Sequence, residues 1–329
     1  RSHTESDFLT FPNPKLVVPG DDPLMIADSQ HLERLADSVE LHVYRERPTS
    51  LAEQIERAVD AEFMINSRGS MTWSATDLAA LPRLRMISTC SIGVDSVDLI
   101  AAAKQGIIVS NVPARTAPVV AEHALALILA TARRLAFLTA ELKSGRWNSM
   151  DNIYLRGKTL GVIGTGAIGG ETLKLARAIG MNVQAWTFHP TAARAAELDV
   201  TYIEFDELLA TSDVVSLHVK LTDESRHLIG RRELAAMKPG SLLINTARGP
   251  VVDTLALVAA LDDGHLAGAG VDVFDQEPIA ADHPLLQCPQ VVLTPHSADQ
   301  NPTGRELLNS GAVDNVLAFL NGTPQNVVS

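Results

Sequence analysis

Three polar side chains with catalytic potential each come shortly after an apolar segment that is predicted to form a strand. They are Arg248, Glu277 and His296. The carboxyl ends of parallel strands form one edge of an open α/β sheet, and ligands bind along that edge. An arginine there can bind an anion, and a carboxylate can orient a histidine for general acid–base catalysis. Each residue alone has an ordinary interpretation, as a surface ion pair, a turn residue before a proline or a solvated loop residue. Together they favour a catalytic site.

A glycine-rich segment follows another predicted strand and opens a predicted helix. It has the pattern G-x-G-x-x-G, formed by Gly164, Gly166 and Gly169, with Ala167 and Ile168 between the last two glycines. The strand–loop–helix setting makes this motif a strong indication of dinucleotide binding. Gly164 permits a tight turn, Gly166 lets the backbone approach a pyrophosphate at the positive helix N-terminus, and Gly169 allows close helix–strand packing. A glycine turn that serves packing alone is the alternative.

The residue at the end of the next predicted strand bears on the choice between NAD and NADP. An NAD site usually has Asp or Glu about 20 residues after the glycines, whereas this chain has Thr187. Because no carboxylate repels a 2′-phosphate here, the main barrier to NADP is absent. His189, Arg194 and Lys220 are candidate cations for that phosphate. The sequence therefore slightly favours NADP, and the alternative that Thr187 binds a ribose hydroxyl of NAD stays open.

The elements that would position these residues alternate between strands and helices along nearly the whole chain. This pattern predicts parallel sheets covered by helices. The predicted strands cover residues 15–18, 40–43, 63–65, 85–88, 107–110, 159–163, 182–187, 200–203, 214–218, 242–245, 270–273 and 291–294. The predicted helices include residues 19–36, 51–58, 119–143 and 304–320.

Two such series, joined by one long helix, predict two doubly wound α/β domains in a chain of 329 residues. The second is predicted to be a Rossmann dinucleotide-binding domain at residues 113–298. The first is predicted to be a flavodoxin-like substrate-binding domain at residues 1–112. The final helix is expected to return to it, so that residues 299–329 make this domain discontinuous.

Composition excludes several other classes of function. Lys and Arg number 27 against 39 Asp and Glu, a net charge of −12 that argues against a nucleic-acid partner and against binding to an anionic membrane surface. The most apolar segment, residues 118–130, contains Glu122 and His123 and is too short to span a bilayer. Cys90 and Cys288 fit neither a disulfide framework nor a zinc pattern, so no metal site is predicted and a cytoplasmic location is expected.

At this point the chain resembles the D-isomer-specific 2-hydroxyacid dehydrogenase family. The resemblance covers nearly the whole chain from residue 15. It is carried by residues 91–98, 162–169, 212–218, 237–249, 270–278 and 293–296. Within the family, the chain is similar to hydroxypyruvate and glyoxylate reductases and to phosphoglycerate dehydrogenases without a regulatory domain.

The resemblance implies a division of roles in the reduction of a 2-oxo acid. Arg248 would bind the carboxylate and carbonyl of the substrate. His296 would protonate the carbonyl oxygen while the nicotinamide delivers hydride to the adjacent carbon. Glu277 would hydrogen-bond His296, orient its ring and favour the imidazolium form. The backbone amides at Ile92 and Gly93 would hold the substrate carboxylate, where glycine suits a close approach.

The resemblance also implies further contacts to the cofactor. It places His218, Thr246, Ala247 and His296 at the dinucleotide. Asp272 would bind the nicotinamide carboxamide, and a structural role at the strand end is the alternative.

Assembly and the class of function each leave one alternative. The predicted helix at residues 119–134 is apolar on several faces, and the resemblance places it at a two-fold contact of a homodimer. Burial of this helix within one subunit is the alternative. Some relatives are dinucleotide-sensing corepressors on the same fold, so a binding module without turnover is the second interpretation of function.

Overall fold

The computed structural model describes residues 13–69 and 71–329, so the first twelve residues of the predicted substrate-binding domain lie outside the described part. The chain divides into two compact units. Unit 1 contains the described residues up to Arg115 together with Asn301–Ser329, and unit 2 is Thr116–Gln300. The substrate-binding role of unit 1 stays a prediction.

Both units consist of parallel strands covered by helices. The strands are β1 (Lys15–Val18), β2 (Glu40–Val43), β3 (Phe63–Ser67), β4 (Met86–Cys90), β5 (Ile108–Ser110), β6 (Thr159–Ile163), β7 (Asn182–Trp186), β8 (Val214–Leu217), β9 (Leu242–Asn245), β10 (Gly268–Val271) and β11 (Val291–Leu293). The helices are α1 (Leu51–Ala58), α2 (Ala75–Ala79), α3 (Leu99–Lys104), α4 (Ala117–Ala132), α5 (Leu135–Lys143), α6 (Ala167–Ala178), α7 (Ala192–Leu198), α8 (Phe205–Thr211), α9 (Arg231–Ala236), α10 (Thr254–Asp262) and α11 (Pro302–Leu320). Short 3₁₀ segments occur at Gln30–Leu35, Gly249–Val251 and Pro284–Gln287.

Unit 1 is built on a five-stranded sheet in the order β2-β1-β3-β4-β5, which is the flavodoxin-like order. All of its strand pairs are parallel. The central strands β3 and β4 are buried along their whole length, as expected for a parallel sheet with helices on both faces. Helix α11 packs on β4, where the Ser88 hydroxyl donates to the Ala312 carbonyl at 2.9 Å.

Unit 2 is built on a six-stranded parallel sheet in the order β11-β10-β9-β8-β6-β7. From β6 the chain moves outward to β7, and it then returns to β8 on the other side of β6. This reversal creates a switch point between β6 and β8, where a crevice for a ligand forms at the carboxyl ends of the strands. The predicted α/β fold with two parallel sheets is confirmed.

The element bounds agree with the sequence analysis at the regular positions. Helix 51–58 and the strands at 15–18, 40–43 and 242–245 are confirmed. Strand β10 begins two residues before the predicted strand at 270–273. Helices α2 and α3 are short and were not predicted. Within the described ranges, no helix is long and apolar enough to cross a membrane.

Three predictions of secondary structure are wrong in part. The predicted helix at 19–36 is an irregular loop followed by a 3₁₀ segment, because the Asp21 carboxylate accepts the backbone N–H groups of Met25, Ile26 and Ala27. The predicted helix at 119–143 is divided into α4 and α5 at Arg134, whose φ is +52°. The predicted strand at 200–203 is reduced to a single bridge to β7.

Candidate active site

The glycine loop between β6 and α6 lies at the switch point of unit 2. Gly164 has φ +96°, and a Cβ there would lie 2.8 Å from the carbonyl carbon of His218. A Cβ on Gly169 would lie 2.0 Å from the Gly164 carbonyl oxygen. Both positions therefore require glycine for the fold itself. Gly166 differs from them, because a Cβ there would meet nothing within 4 Å.

The N-terminus of α6 has the properties of an anion site. Gly166 is its N-cap residue, and no side chain caps the helix. Gly166 and Ala167 are exposed and Ile168 is half-buried. The first N–H groups of a helix have no partner within the helix, and its dipole is positive at this end. Open space before Gly166 and an uncapped helix fit the pyrophosphate of a dinucleotide.

Two side chains that follow β7 hold the glycine loop from outside. Arg194 donates through Nε to the Thr165 carbonyl and through Nη2 to the Gly166 carbonyl, both at 3.0 Å, and it pairs with Glu197 at 2.6 Å. The Tyr202 hydroxyl lies 2.6 Å from Thr165 Oγ1. From the sequence, Arg194 is only a candidate cation for a 2′-phosphate. In the structure its guanidinium positions the loop.

The other residues considered for cofactor choice are more accessible. Thr187 directly follows β7 and is half-buried, whereas His189 and Lys220 are exposed. The structure places all three after the carboxyl ends of β7 and β8. Which cofactor they select stays a prediction.

His218 and Thr246 follow the neighbouring strands β8 and β9. The His218 ring contacts Ser216 through Nε2 at 2.9 Å, and burial of the ring lowers the pKa of His218 to about 3, so the imidazole is neutral at pH 7. His218 Nδ1 and Thr246 Oγ1 are buried and have no hydrogen-bond partner within the described part of the chain. Ala247 is buried beside Thr246. The predicted cofactor contacts of these residues are not tested by the structure.

His296 and Glu277 form the closest pair of predicted catalytic residues. His296 Nδ1 lies 2.6 Å from Glu277 Oε2, and the Phe274 N–H fixes the other carboxylate oxygen at 2.9 Å. Burial alone would raise the pKa of Glu277. The hydrogen bond from His296 and the charges of His296 and Arg248 lower it by more than burial raises it, so the pKa is below its usual value. The ionised carboxylate accepts from Nδ1, which leaves Nε2 of the ring for a substrate. The His296 side chain is 40% exposed, so that nitrogen can be reached.

Arg248 is brought beside this pair by a close contact between two loops. A Cβ on Gly249 would lie 2.0 Å from the Phe274 carbonyl carbon, so only glycine lets the loop after β9 pack on the loop that carries Glu277. Buried Asn245 shapes the turn, since its amide donates to the Arg248 carbonyl at 2.9 Å and its oxygen accepts the Ala247 N–H at 3.0 Å. The Arg248 guanidinium donates to the Ala247 carbonyl at 2.7 Å.

Asp272 organises the loop on which His296 lies. Its carboxylate is fully buried and accepts the Thr294 hydroxyl at 2.5 Å, the Ser297 N–H at 2.9 Å and the Ala298 N–H at 3.2 Å. Its backbone carbonyl accepts the His296 N–H at 2.7 Å. These contacts give Asp272 the structural role that the sequence analysis left open. The predicted contact to the nicotinamide carboxamide is not tested.

Ile92 and Gly93 lie in unit 1, in the loop that follows β4. The Asn111 amide donates to the Ile92 carbonyl at 2.7 Å, and the Ser91 hydroxyl donates to the Gly93 carbonyl at 2.6 Å. Because the Ile92 carbonyl points toward Asn111, the Gly93 N–H of the same trans peptide points the opposite way. Binding of a carboxylate by these amides stays a prediction.

Comparison with known proteins identifies the family. The family described as "D-isomer specific 2-hydroxyacid dehydrogenase, NAD binding domain" matches residues 125–298. This chain belongs to the D-isomer-specific 2-hydroxyacid dehydrogenase family. It is 36% identical to a glyoxylate reductase from Korarchaeum cryptofilum over 306 residues. The aligned region covers 91% of this chain and 92% of that protein.

Solved structures extend the comparison to the fold. An NADPH-dependent glyoxylate/hydroxypyruvate reductase from Sinorhizobium meliloti, in complex with NADP and malonate, matches with a TM-score of 0.84 and 30% identity, covering 96% of this chain and 97% of that one. A D-lactate dehydrogenase from Aquifex aeolicus, complexed with NAD and lactic acid, matches with a TM-score of 0.80 and 32% identity, covering 94% and 96%. The protein is an NAD(P)-dependent enzyme of this family, and its cofactor is NAD or NADP.

Proposed function

We propose that this dehydrogenase reduces a small 2-oxo acid such as glyoxylate to the corresponding 2-hydroxy acid, with His296 as the general acid. The observation that carries the proposal is the 2.6 Å contact between His296 and the Glu277 carboxylate at the strand-end edge of unit 2. Arg248 lies in the adjoining loop, and its charge acts on Glu277. The similarity to glyoxylate reductases supports a small substrate.

The roles follow from the chemistry of the reduction. A dinucleotide held at the glycine loop of Gly164, Gly166 and Gly169 would supply the hydride for the carbonyl carbon. Arg248 binds the substrate carboxylate and the carbonyl oxygen, where negative charge develops. His296 in its imidazolium form gives the Nε2 proton to that oxygen, and the neutral ring is protonated again from solvent. Glu277 accepts the hydrogen bond from Nδ1 and orients the ring toward the substrate.

Unit 1 contributes backbone amides in this proposal. The N–H groups of Ile92 and Gly93 are proposed to bind the substrate carboxylate. Asn111 supports this role because it fixes the peptide between Ile92 and Gly93. A glycine at the second position leaves room for a close approach of the ligand.

NADPH is the slightly favoured cofactor in the proposal. No carboxylate follows β7, where Thr187 stands, and exposed His189 and Lys220 are the cations left for a 2′-phosphate. Arg194 is engaged by the glycine loop and by Glu197. Thr187 also permits NADH, because nothing in a threonine rejects a ribose hydroxyl.

A substrate panel tests the function. Glyoxylate, hydroxypyruvate, pyruvate and bulkier 2-oxo acids are each offered with NADH and with NADPH, and oxidation of the cofactor is followed by absorbance. Turnover of glyoxylate above that of the bulkier acids supports the proposal. If neither cofactor is oxidised with any acid of the panel, the proposal fails, and retention of a partner protein without turnover would then favour the corepressor interpretation.

We also propose that two copies associate through unit 2. One side of α4 is buried within the unit, which explains most of its apolar character. Large apolar side chains nevertheless remain exposed on and after it. They are Leu129, Leu135, Leu142, Trp147, Met150 and Tyr154. An apolar surface of this kind is typical of an interface. A sedimentation mass of one chain at micromolar concentration would contradict the dimer.

The expected cytoplasmic location is kept as a proposal. The two cysteines of the chain, Cys90 and Cys288, are both buried, and burial raises the pKa of the Cys288 thiol. Two cysteines cannot form a disulfide framework, which is typical of a protein from a reducing compartment. Fractionation of the source cells with an antibody to the enzyme tests this location.

A further inference from the structure

A histidine of helix α4 reaches the loop that carries the catalytic His296. His123 Nε2 lies 3.0 Å from Thr294 Oγ1 and 3.5 Å from Asp272 Oδ1. The His123 side chain is 21% exposed, and the carboxylate that it approaches is fully buried. In the sequence this histidine is only a polar interruption of an apolar segment.

The direction of these hydrogen bonds follows from the number of protons available. The Thr294 hydroxyl has one hydrogen. Because Thr294 Oγ1 lies 2.5 Å from Asp272 Oδ1, the hydroxyl donates that hydrogen to the carboxylate. Burial alone would raise the pKa of Asp272. Hydrogen bonds from His123, Thr294 and Ser297 lower it by more than burial raises it, so the pKa is below its usual value and the carboxylate is ionised. The Thr294 oxygen can therefore only accept from His123, which must carry a hydrogen on Nε2.

The backbone conformation of His296 depends on the position of the Asp272 carboxylate, to which His123 and Thr294 donate hydrogen bonds. His296 has φ +50°, a left-handed conformation that is unfavourable for a residue with a Cβ and that persists only where surrounding contacts fix it. The Asp272 carbonyl fixes the His296 N–H, and the Asp272 carboxylate fixes the N–H groups of Ser297 and Ala298. The position of that carboxylate therefore sets the position of the loop.

We propose that His123 is a positioning residue for the reaction, holding the His296 ring in place through Thr294 and Asp272. The inference rests on the proposed role of His296. Without the Nε2–H donor, the buried carboxylate loses one of its compensating contacts, and the Thr294 oxygen loses the hydrogen bond that it accepts. The loop then relaxes from the left-handed conformation, and His296 moves relative to its substrate.

A matched pair of substitutions isolates the donor. His123→Met and His123→Gln introduce side chains of the same length and similar helix propensity, but only glutamine carries an N–H group near the place of Nε2. We expect His123→Met to lower kcat by about 10- to 100-fold, the range for a small misplacement of a reacting group. His123→Gln is expected to recover most of that loss. The Kd of the dinucleotide, measured by fluorescence titration, should be unchanged in both variants.

A double-mutant cycle distinguishes positioning from a general loss of stability. In a His296→Ala background, His123→Met should no longer change the residual rate, since the ring that it positions is absent. The inference is overturned if the Met and Gln variants have equal kcat, or if the two losses add fully in the double variant. Absence of turnover by the unsubstituted enzyme would instead refute the proposed function, so the two failures are distinguishable.

Discussion

Gly166 offers a way to separate cofactor binding from folding. In Gly166→Ala the new methyl group would meet no protein atom within 4 Å, and the backbone, at φ −65° and ψ −164°, is accessible to alanine. Alanine is a poorer N-cap residue than glycine by roughly 0.5–1 kcal/mol. The smaller conformational freedom of the unfolded chain offsets about 0.4–1 kcal/mol of this. The free energy of unfolding should therefore change little, and Tm should stay within about 2 °C.

Cofactor binding should respond much more strongly. The methyl group projects into the open space before α6, where the pyrophosphate is expected to contact the loop. Inserting a methyl group into a packed contact costs about 1–3 kcal/mol, which corresponds to a rise in Kd of about 5- to 150-fold. Thermal melting without ligand and fluorescence titration with NADH and NADPH measure the two effects separately.

Gly169→Ala is the matched control. Its Cβ would lie 2.0 Å from the Gly164 carbonyl oxygen, so this substitution should lower Tm by many degrees before any ligand is added. An unchanged Kd of Gly166→Ala for both dinucleotides would refute the proposed pyrophosphate contact. Unfolding of Gly166→Ala as readily as Gly169→Ala would refute the separation of binding from folding.

Three further predictions follow from the same geometry. Thr187→Asp should shift the ratio of kcat/KM toward NADH by about ten-fold, because a carboxylate repels the 2′-phosphate and accepts from the ribose; a hundred-fold preference for NADH before substitution would contradict the argument. Glu277→Gln should lower kcat by about ten-fold, since the amide keeps the size of the carboxylate but not its charge toward His296; an unchanged kcat would remove Glu277 from the mechanism. Because the pKa of Asp272 is lowered in the folded state, its contribution to stability is present above the unfolded value of about 4 and is lost as the pH falls through the folded value. The decline of Tm below about pH 4 should therefore be shallower in Asp272→Asn, and parallel curves would contradict this.

Regular elements and the motif residues could be predicted from local sequence, and irregular backbone could not. Alternation of apolar strands with helices predicts the two parallel sheets, and glycine spacing predicts the loop at β6. The break between α4 and α5 could not be predicted, because no glycine or proline marks it. Arg134 itself adopts the left-handed conformation there. The segment after β1 is predicted to be a helix but forms a loop. The Asp21 carboxylate accepts backbone N–H groups that would otherwise bond within a helix.

Residues that act through long-range contacts were also beyond local patterns. His123 and Thr294 are 171 positions apart, and only the packing of α4 on the sheet of unit 2 brings them together. Arg194 was recognised as a charge near the cofactor, but its hydrogen bonds to the glycine loop depend on where α7 begins. Asn245 had a local signal, since a polar residue that ends a buried strand often shapes the following turn.

Proton transfer from His296 to a 2-oxo acid is tested by one comparison of three enzymes. Initial rates of glyoxylate reduction are measured for the unsubstituted enzyme, for His296→Asn and for His42→Asn, a substitution of a partly exposed histidine in unit 1. We expect turnover by the unsubstituted enzyme and by His42→Asn, and a kcat lower by about 10²- to 10⁴-fold in His296→Asn at a similar dinucleotide Kd. Near-full kcat in His296→Asn would show that His296 is not the proton donor.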